Sequence, residues 1–164
     1  MEIQLLVIII IMIACSAFFS ASETALTGAN RIRLKSMAEN GSKGAKMALK
    51  LLDRYDKVIT TILIGNNIVN ITASSLGTIL ATAIVGPDNA ALVSTVVLTL
   101  VILAFGEVMP KSLAKDHSEG LTVATSGIIT FLTFIFTPLS ALFILLKKLS
   151  LIHISEPTRR SYIS

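Results

Sequence analysis

The chain has 164 residues, of which 53% are hydrophobic and only 15% charged, and its mean hydropathy is +0.80. A soluble domain carries about a quarter charged residues, so composition excludes an ordinary soluble fold. The net charge of +4 comes from basic residues that flank apolar runs, where membrane topology explains them and a nucleic-acid surface does not.

The first apolar run, Ile3 to Ser22, is 20 residues without a charge, enough for a helix to cross about 30 Å of hydrocarbon. Glu2 stands where a signal peptide would be basic, and no small-residue cleavage site follows, so an uncleaved signal-anchor helix is expected. Cys15 lies inside this run and, as the one cysteine, forms no intrachain disulfide. The loop that follows, Arg31 to Lys57, holds eight basic residues against three acidic ones, which places it in the cytoplasm and the N-terminus outside. Within it, Gly41-Ser42 separates two helical stretches. Ala45, Ala48, Leu51 and Leu52 form an apolar stripe suited to the membrane surface or to a short solvated connector.

A second run, Val58 to Pro87, has 30 uncharged residues and ends in the turn Gly86-Pro87-Asp88-Asn89. The third, Asn89 to Gly106, has 18 and extends past Glu107 to Lys111 and Lys115. The fourth, Leu121 to Leu146, has 26, but a full crossing would leave Lys147 and Lys148 outside, and Pro138 interrupts it. The expected fold is therefore an all-α membrane protein with three transmembrane helices. A bent juxtamembrane or re-entrant segment, turning at Thr137-Pro138-Leu139, completes it; a plain fourth span is the alternative. Residues 149–164 resemble the translation of a sequencing adapter, so residues 1–148 are taken as the transmembrane domain and the tail as non-native read-through.

Four polar residues sit inside these runs: Ser20, Asn66, Asn70 and Glu107. Counted from the basic edges at 1.5 Å per residue, Ser20 lies about 16 Å deep, Asn66 about 13 Å, Asn70 one turn deeper, and Glu107 about 6 Å. All four fall in the cytoplasmic half. Their donors are hydroxyl, amide and carboxylate oxygens, with no sulfur or imidazole, which points to a hard cation such as Mg²⁺ or Na⁺. Pro110 cannot donate to the carbonyl of Gly106, so a helix bend there would free a main-chain oxygen for the same ion. A plainer reading stands beside this one. Asn and Ser often only hydrogen-bond between membrane helices, for about 0.6–2 kcal/mol. Glu107 has Lys111 four residues on as a pairing partner, Glu23 can simply cap the first span, and Asn67 points off the Asn66/Asn70 face.

Three segments, Phe19-Ser20-Ala21-Ser22-Glu23-Thr24-Ala25-Leu26, Gly65-Asn66-Asn67-Ile68-Val69-Asn70 and Phe105-Gly106-Glu107-Val108-Met109-Pro110-Lys111, together resemble the CorC/CNNM family of magnesium transporters, whose bacterial members are often labelled haemolysin-like. The resemblance implies a homodimeric domain of three spans with a juxtamembrane helical belt in the inner (plasma) membrane. It implies Mg²⁺ binding in an inward-facing cavity and sodium-linked Mg²⁺ export, with Co²⁺ as alternative cargo. The family's ion-site residues correspond to Ser20, Asn66, Asn70 and Glu107, with Gly106 as a backbone ligand. Family members continue into cytoplasmic CBS domains, absent from this chain. A membrane Mg²⁺ sensor or regulatory scaffold is the alternative to a transporter. A membrane-lysing toxin fits poorly, and no nucleophile–base pair suggests an enzyme.

The distribution of Lys and Arg yields a topology test. In a Cys15→Ser background, single cysteines near Met1 and at Pro87 are expected to react with an impermeant thiol reagent applied outside, and cysteines at Lys43 and Lys148 only after permeabilisation. External labelling at position 148 would overturn the re-entrant reading.

Overall fold

In hydrocarbon a backbone N–H or C=O has no water to bond, so each apolar run closes its hydrogen bonds within itself as a helix. The computed structural model describes residues 2–139, which form seven α-helices and one π segment. They are α1 (Glu2–Gly28), α2 (Arg31–Glu39), α3 (Lys43–Leu52), α4 (Tyr55–Val85), α5 (Pro87–Val101), the π segment (Ile102–Val108), α6 (Met109–Asp116) and α7 (Ser118–Ile135). By length and composition, four stretches are able to cross a membrane: α1, α4, the continuous Pro87–Asp116 helix, and α7. Large apolar side chains such as Ile3, Ile79, Leu92, Leu100, Phe131 and Phe134 point outward, as lipid-facing residues do.

Local chemistry sets the joints. Asn30 caps α2, its side chain accepting from the backbone N–H groups of Ile32 (2.9 Å) and Arg33 (3.3 Å). The α2 C-terminus closes with Gly41 N–H on Ala38 O and Ser42 N–H on Met37 O, both at 3.1 Å. That paired closure needs a left-handed residue, and Gly41 supplies it at φ +93°. Ser42 then caps α3 through the N–H of Ala45 at 3.2 Å. At the opposite end α4 stops at Gly86, and Pro87 opens α5 in the first turn, where its missing N–H is no loss.

The stripe on α3 takes neither of the two places expected for it. Ala45, Ala48 and Leu51 are buried, because α3 packs along α7. A core of Phe19, Leu26, Leu51, Val58, Ile62 and Ile129 joins α1, α3, α4 and α7 at the basic end of the molecule. The face of α7 that meets it, Ser118, Thr122, Ser126, Ile129 and Thr133, repeats at helical spacing and is small, which lets the helices approach closely. Its hydroxyls bond back to carbonyls three or four residues earlier, as Thr122 does to Ser118 O at 2.7 Å.

The fourth apolar run breaks one residue ahead of the bend expected at Thr137-Pro138-Leu139. It turns at Phe136, with the Phe136 N–H on Leu132 O at 2.9 Å, two residues ahead of Pro138. Pro138 lacks the donor that would continue the ladder to Phe134, so the helix yields in the turn before it. The return of this segment, Lys147 and Lys148, and the tail at 149–164 lie outside the described residues.

Two spans meet closely at Gly65 on α4, where an added Cβ would lie 2.4 Å from the ring of Phe19 on α1. Phe19 is itself buried in the core and has no room to swing away. Gly65→Ala is expected to lower stability by about 1–3 kcal/mol through overpacking, seen as an earlier thermal midpoint in detergent. Trimming Phe19 to Leu in that background should recover much of the loss. An unchanged midpoint for Gly65→Ala would contradict this packing.

Candidate functional site

Where α1, α4 and the π segment meet, the contact is made by Ser16. Its hydroxyl lies 3.0 Å from Asn66 Oδ1 and 3.4 Å from the Gly106 carbonyl. It carries one proton, and the shorter distance gives that proton to Asn66. Asn66 and Gly106 are thus brought together through a residue absent from the expected set. Ser16 precedes Ser20 by four residues and shares its buried face, so that spacing was the available signal. An added Cβ at Gly106 would sit 3.0 Å from the Ser16 oxygen, so the absence of a side chain there permits the approach.

Ser20 is fully buried one turn toward the basic end. Asn70 is half-buried one turn from Asn66 in the other direction, toward Gly86. Ser20 Oγ, Ser22 Oγ and Asn70 Oδ1 are buried atoms with no hydrogen-bond partner among the described residues. This is unusual company: Thr27, Thr60, Thr72 and Thr82 each satisfy their hydroxyls on the carbonyl four residues back, at 2.7–2.8 Å. A buried unsatisfied oxygen costs about 1–3 kcal/mol, so each of the three is a point that calls for a ligand atom or another explanation. Asn67, by contrast, is exposed on the other side of α4.

The charges form a bridge between spans. Lys111 Nζ lies 3.0 Å from Glu107 Oε1, four residues earlier, and 3.5 Å from Glu23 Oε2 on α1. The pairing of Glu107 with Lys111 is therefore present, and Glu23 extends it to a second helix rather than capping its own. The basic belt has separate pairs, Arg31 with Asp53 and Arg33 with Glu119 at 3.6 Å, both exposed in part and worth little.

The bend expected between Gly106 and Pro110 begins earlier. The helix widens to π geometry over Ile102–Val108, and the Met109 N–H bonds to Ala104 O, five residues back. Pro110, without an N–H, sits just where the helix returns to α geometry. The Gly106 carbonyl is not open as the proline argument suggested; it faces the Ser16 hydroxyl.

Asn70 also lines a cavity of about 410 Å³ between α4 and α5, together with Ser74, Thr78, Ser94, Thr95 and Thr99. Thr78 Oγ1 and Ser94 Oγ meet across it at 3.0 Å. Asn66, Asn70, Ser74 and Thr78 recur every four residues on one face of α4. Among the described residues no group of three or more His, Cys, Asp or Glu side chains is placed to hold a metal. Any cation here would be met by hydroxyl, amide and carbonyl oxygens and one or two carboxylates. That donor set suits a hard ion, not zinc or copper.

A sequence profile described as the cyclin M transmembrane N-terminal domain, CNNM, matches residues 7–164. The chain is 44% identical over 135 residues to a UPF0053 protein of Haemophilus influenzae, covering 82% of this chain and 32% of that protein. It is 44% identical over 124 residues to the UPF0053 inner membrane protein YfjD of Escherichia coli, covering 76% and 29%. It is 26% identical over 143 residues to a Haemophilus influenzae protein named polyamine export protein, covering 80% and 33%. The chain spans about a third of the length of these relatives.

Proposed function

Because the chain belongs to the CNNM transmembrane domain family and is a multi-pass helical membrane protein, we propose that it is the membrane part of a cation transporter whose cargo is Mg²⁺. The observation that carries this reading is the pair of buried, unpartnered oxygens, Ser20 Oγ and Asn70 Oδ1, one turn either side of the Ser16–Asn66–Gly106 contact. Glu107 supplies formal charge from the third span. Mg²⁺ takes about six oxygens and keeps several waters, so a site of neutral oxygens with one carboxylate suits it. The cation enters from the basic end, which the excess of Lys and Arg assigns to the cytoplasm, with the N-terminus outside. Export of Mg²⁺ coupled to Na⁺ entry is the direction proposed, on the resemblance to magnesium transporters. The full-length protein is proposed to work as a homodimer in the inner membrane, with nucleotide-binding CBS domains on the cytoplasmic side.

One observation favours a second reading. The Lys111 ammonium is held by Glu23 and Glu107 together, so these carboxylates are spaced to accept an alkylammonium, and one relative bears the name polyamine export protein. Competition separates the two cargos. Spermidine that displaces Mg²⁺ at equal or lower concentration would favour the organic cation.

Calorimetric titration of the purified protein with Mg²⁺ tests the site. Asn70→Ala and Glu107→Gln are each expected to weaken binding at least about tenfold, the loss that removal even of a supporting ligand contact brings, while the fold persists. Asn67→Ala, on the exposed side of α4, is expected to bind as the parent does. Equal damage from Asn67→Ala, or normal binding by Glu107→Gln, would return Asn66 and Asn70 to helix packing. Mg²⁺ flux in proteoliposomes made with the full-length protein separates a transporter from a sensor: binding without flux would support the sensor.

A further inference from the structure

We propose that Lys111 is a tethered counter-cation. It occupies Glu107 while the site holds no cargo, and it withdraws to Glu23 when a cation loads. The proposal rests on the reading of Glu107 as a cargo ligand, and it adds a competitor built into the same helix.

The geometry carries it. Lys111 Nζ is 3.0 Å from Glu107 Oε1 and 3.5 Å from Glu23 Oε2, so the nearer carboxylate is the one in the cargo site. The farther one lies on α1, outside the donor set proposed for Mg²⁺. An ammonium is a compact charge with three rotatable donors on a flexible four-carbon stem. Moving it fully onto Glu23 needs only side-chain rotation. All three side chains are partly exposed, at 36% for Lys111, 38% for Glu107 and 27% for Glu23, so none is locked by packing.

Charge accounting gives the motion a reason. Glu23, Glu107 and Lys111 sum to one negative charge. A dication arriving while the ammonium still held Glu107 would set two cations against one carboxylate at a few ångströms, in a medium where repulsion is strong. Glu23 offers a second berth, so the ammonium can leave without becoming unpaired. Conversely, when cargo departs, a bare carboxylate at the membrane edge would be costly, and Lys111 neutralises it at once. The tether thus lowers affinity but shortens the time cargo stays bound. It also sets a threshold that a divalent ion clears more readily than a monovalent one, since a single tethered charge competes with Na⁺ on even terms.

The test is Mg²⁺ titration of the whole chain in detergent, with four variants checked for folding by size-exclusion chromatography. Lys111→Met removes the competitor and is expected to tighten Mg²⁺ binding about two- to fivefold, the worth of one partly exposed ion pair of good geometry. Lys111→Arg keeps a cation with a stronger grip on carboxylates and is expected to bind no more tightly than the parent. Glu23→Gln removes the second berth and is expected to weaken binding by a similar factor to that gained by Lys111→Met. Glu107→Gln reports on the underlying site. If Glu107→Gln weakens binding but Lys111→Met leaves it unchanged or weaker, the tether is wrong and the site stands. If Glu107→Gln binds normally, the site reading itself falls. Should Lys111→Met not fold, Glu23→Gln decides, and normal Mg²⁺ affinity there overturns the tether.

Discussion

Three membrane spans meet at one hydroxyl. Ser16 reaches Asn66 on α4 and the Gly106 carbonyl on the third span, and in hydrocarbon a polar atom has few other partners to choose from. The contact demands that three helices come close together, and the neighbouring sequence allows it: Gly65 admits the Phe19 ring, and Gly106 admits Ser16 itself. Bulkier residues at either position would hold the spans apart and leave the amide of Asn66 to find another partner. The buried oxygens of Ser20 and Asn70 flank this joint without partners of their own. The centre joins three helices through one hydroxyl, and the flanking oxygens have no protein partner among the described residues.

Much of this was written in the sequence at the level of composition and period. Charge-free runs of membrane length name the spans, and the i,i+4 step from Asn66 to Asn70 shows that they share a face. The same step continues to Ser74 and Thr78, and backward from Ser20 to Ser16, so the polar ladder on α4 and the central hydroxyl on α1 were legible too. They were overlooked because Ser and Thr in membrane helices usually bond to their own backbone, as the threonines here do. What no count of residues along a helix supplies is the pairing between helices. Ser16 rather than Ser20 faces Asn66 because of how α1 and α4 slide against one another, and side-chain volumes at Phe19 and Gly65 set that slide. The place of Glu23 follows from packing in the same way. Only the packing of α1 on α6 brings it to Lys111.

The juxtamembrane stripe on α3 shows the limit of amphipathicity as a signal. Ala45, Ala48 and Leu51 announce a face to be buried, but the pattern is silent about what buries it. Lipid headgroups, water-shielded loops and another helix all satisfy the same periodicity. Here α7 does, with a face of serines and threonines whose hydroxyls are turned inward on their own carbonyls. Such a face is small and locally satisfied, so it can pack tightly against alanines.

The π segment gives the third span two partners. Before it, α5 lies along α4, with Ser94 meeting Thr78. Within it Gly106, and beyond it α6, lie along α1, where Lys111 reaches Glu23. A straight α-helix presents one stripe to one neighbour, and re-aiming that stripe needs extra residues in a turn. The widened turns over Ile102–Val108 provide them, at the cost of weaker hydrogen bonds, and Pro110 prevents the α ladder from closing the gap immediately afterward. The irregularity therefore falls where the span must change neighbours, and Gly106 and Glu107 lie inside it. Carbonyls in a π turn are less tightly held than in an α-helix, and a neighbouring hydroxyl or ion competes for them on better terms. The backbone defect and two of the candidate site residues, Gly106 and Glu107, thus fall in the same seven residues.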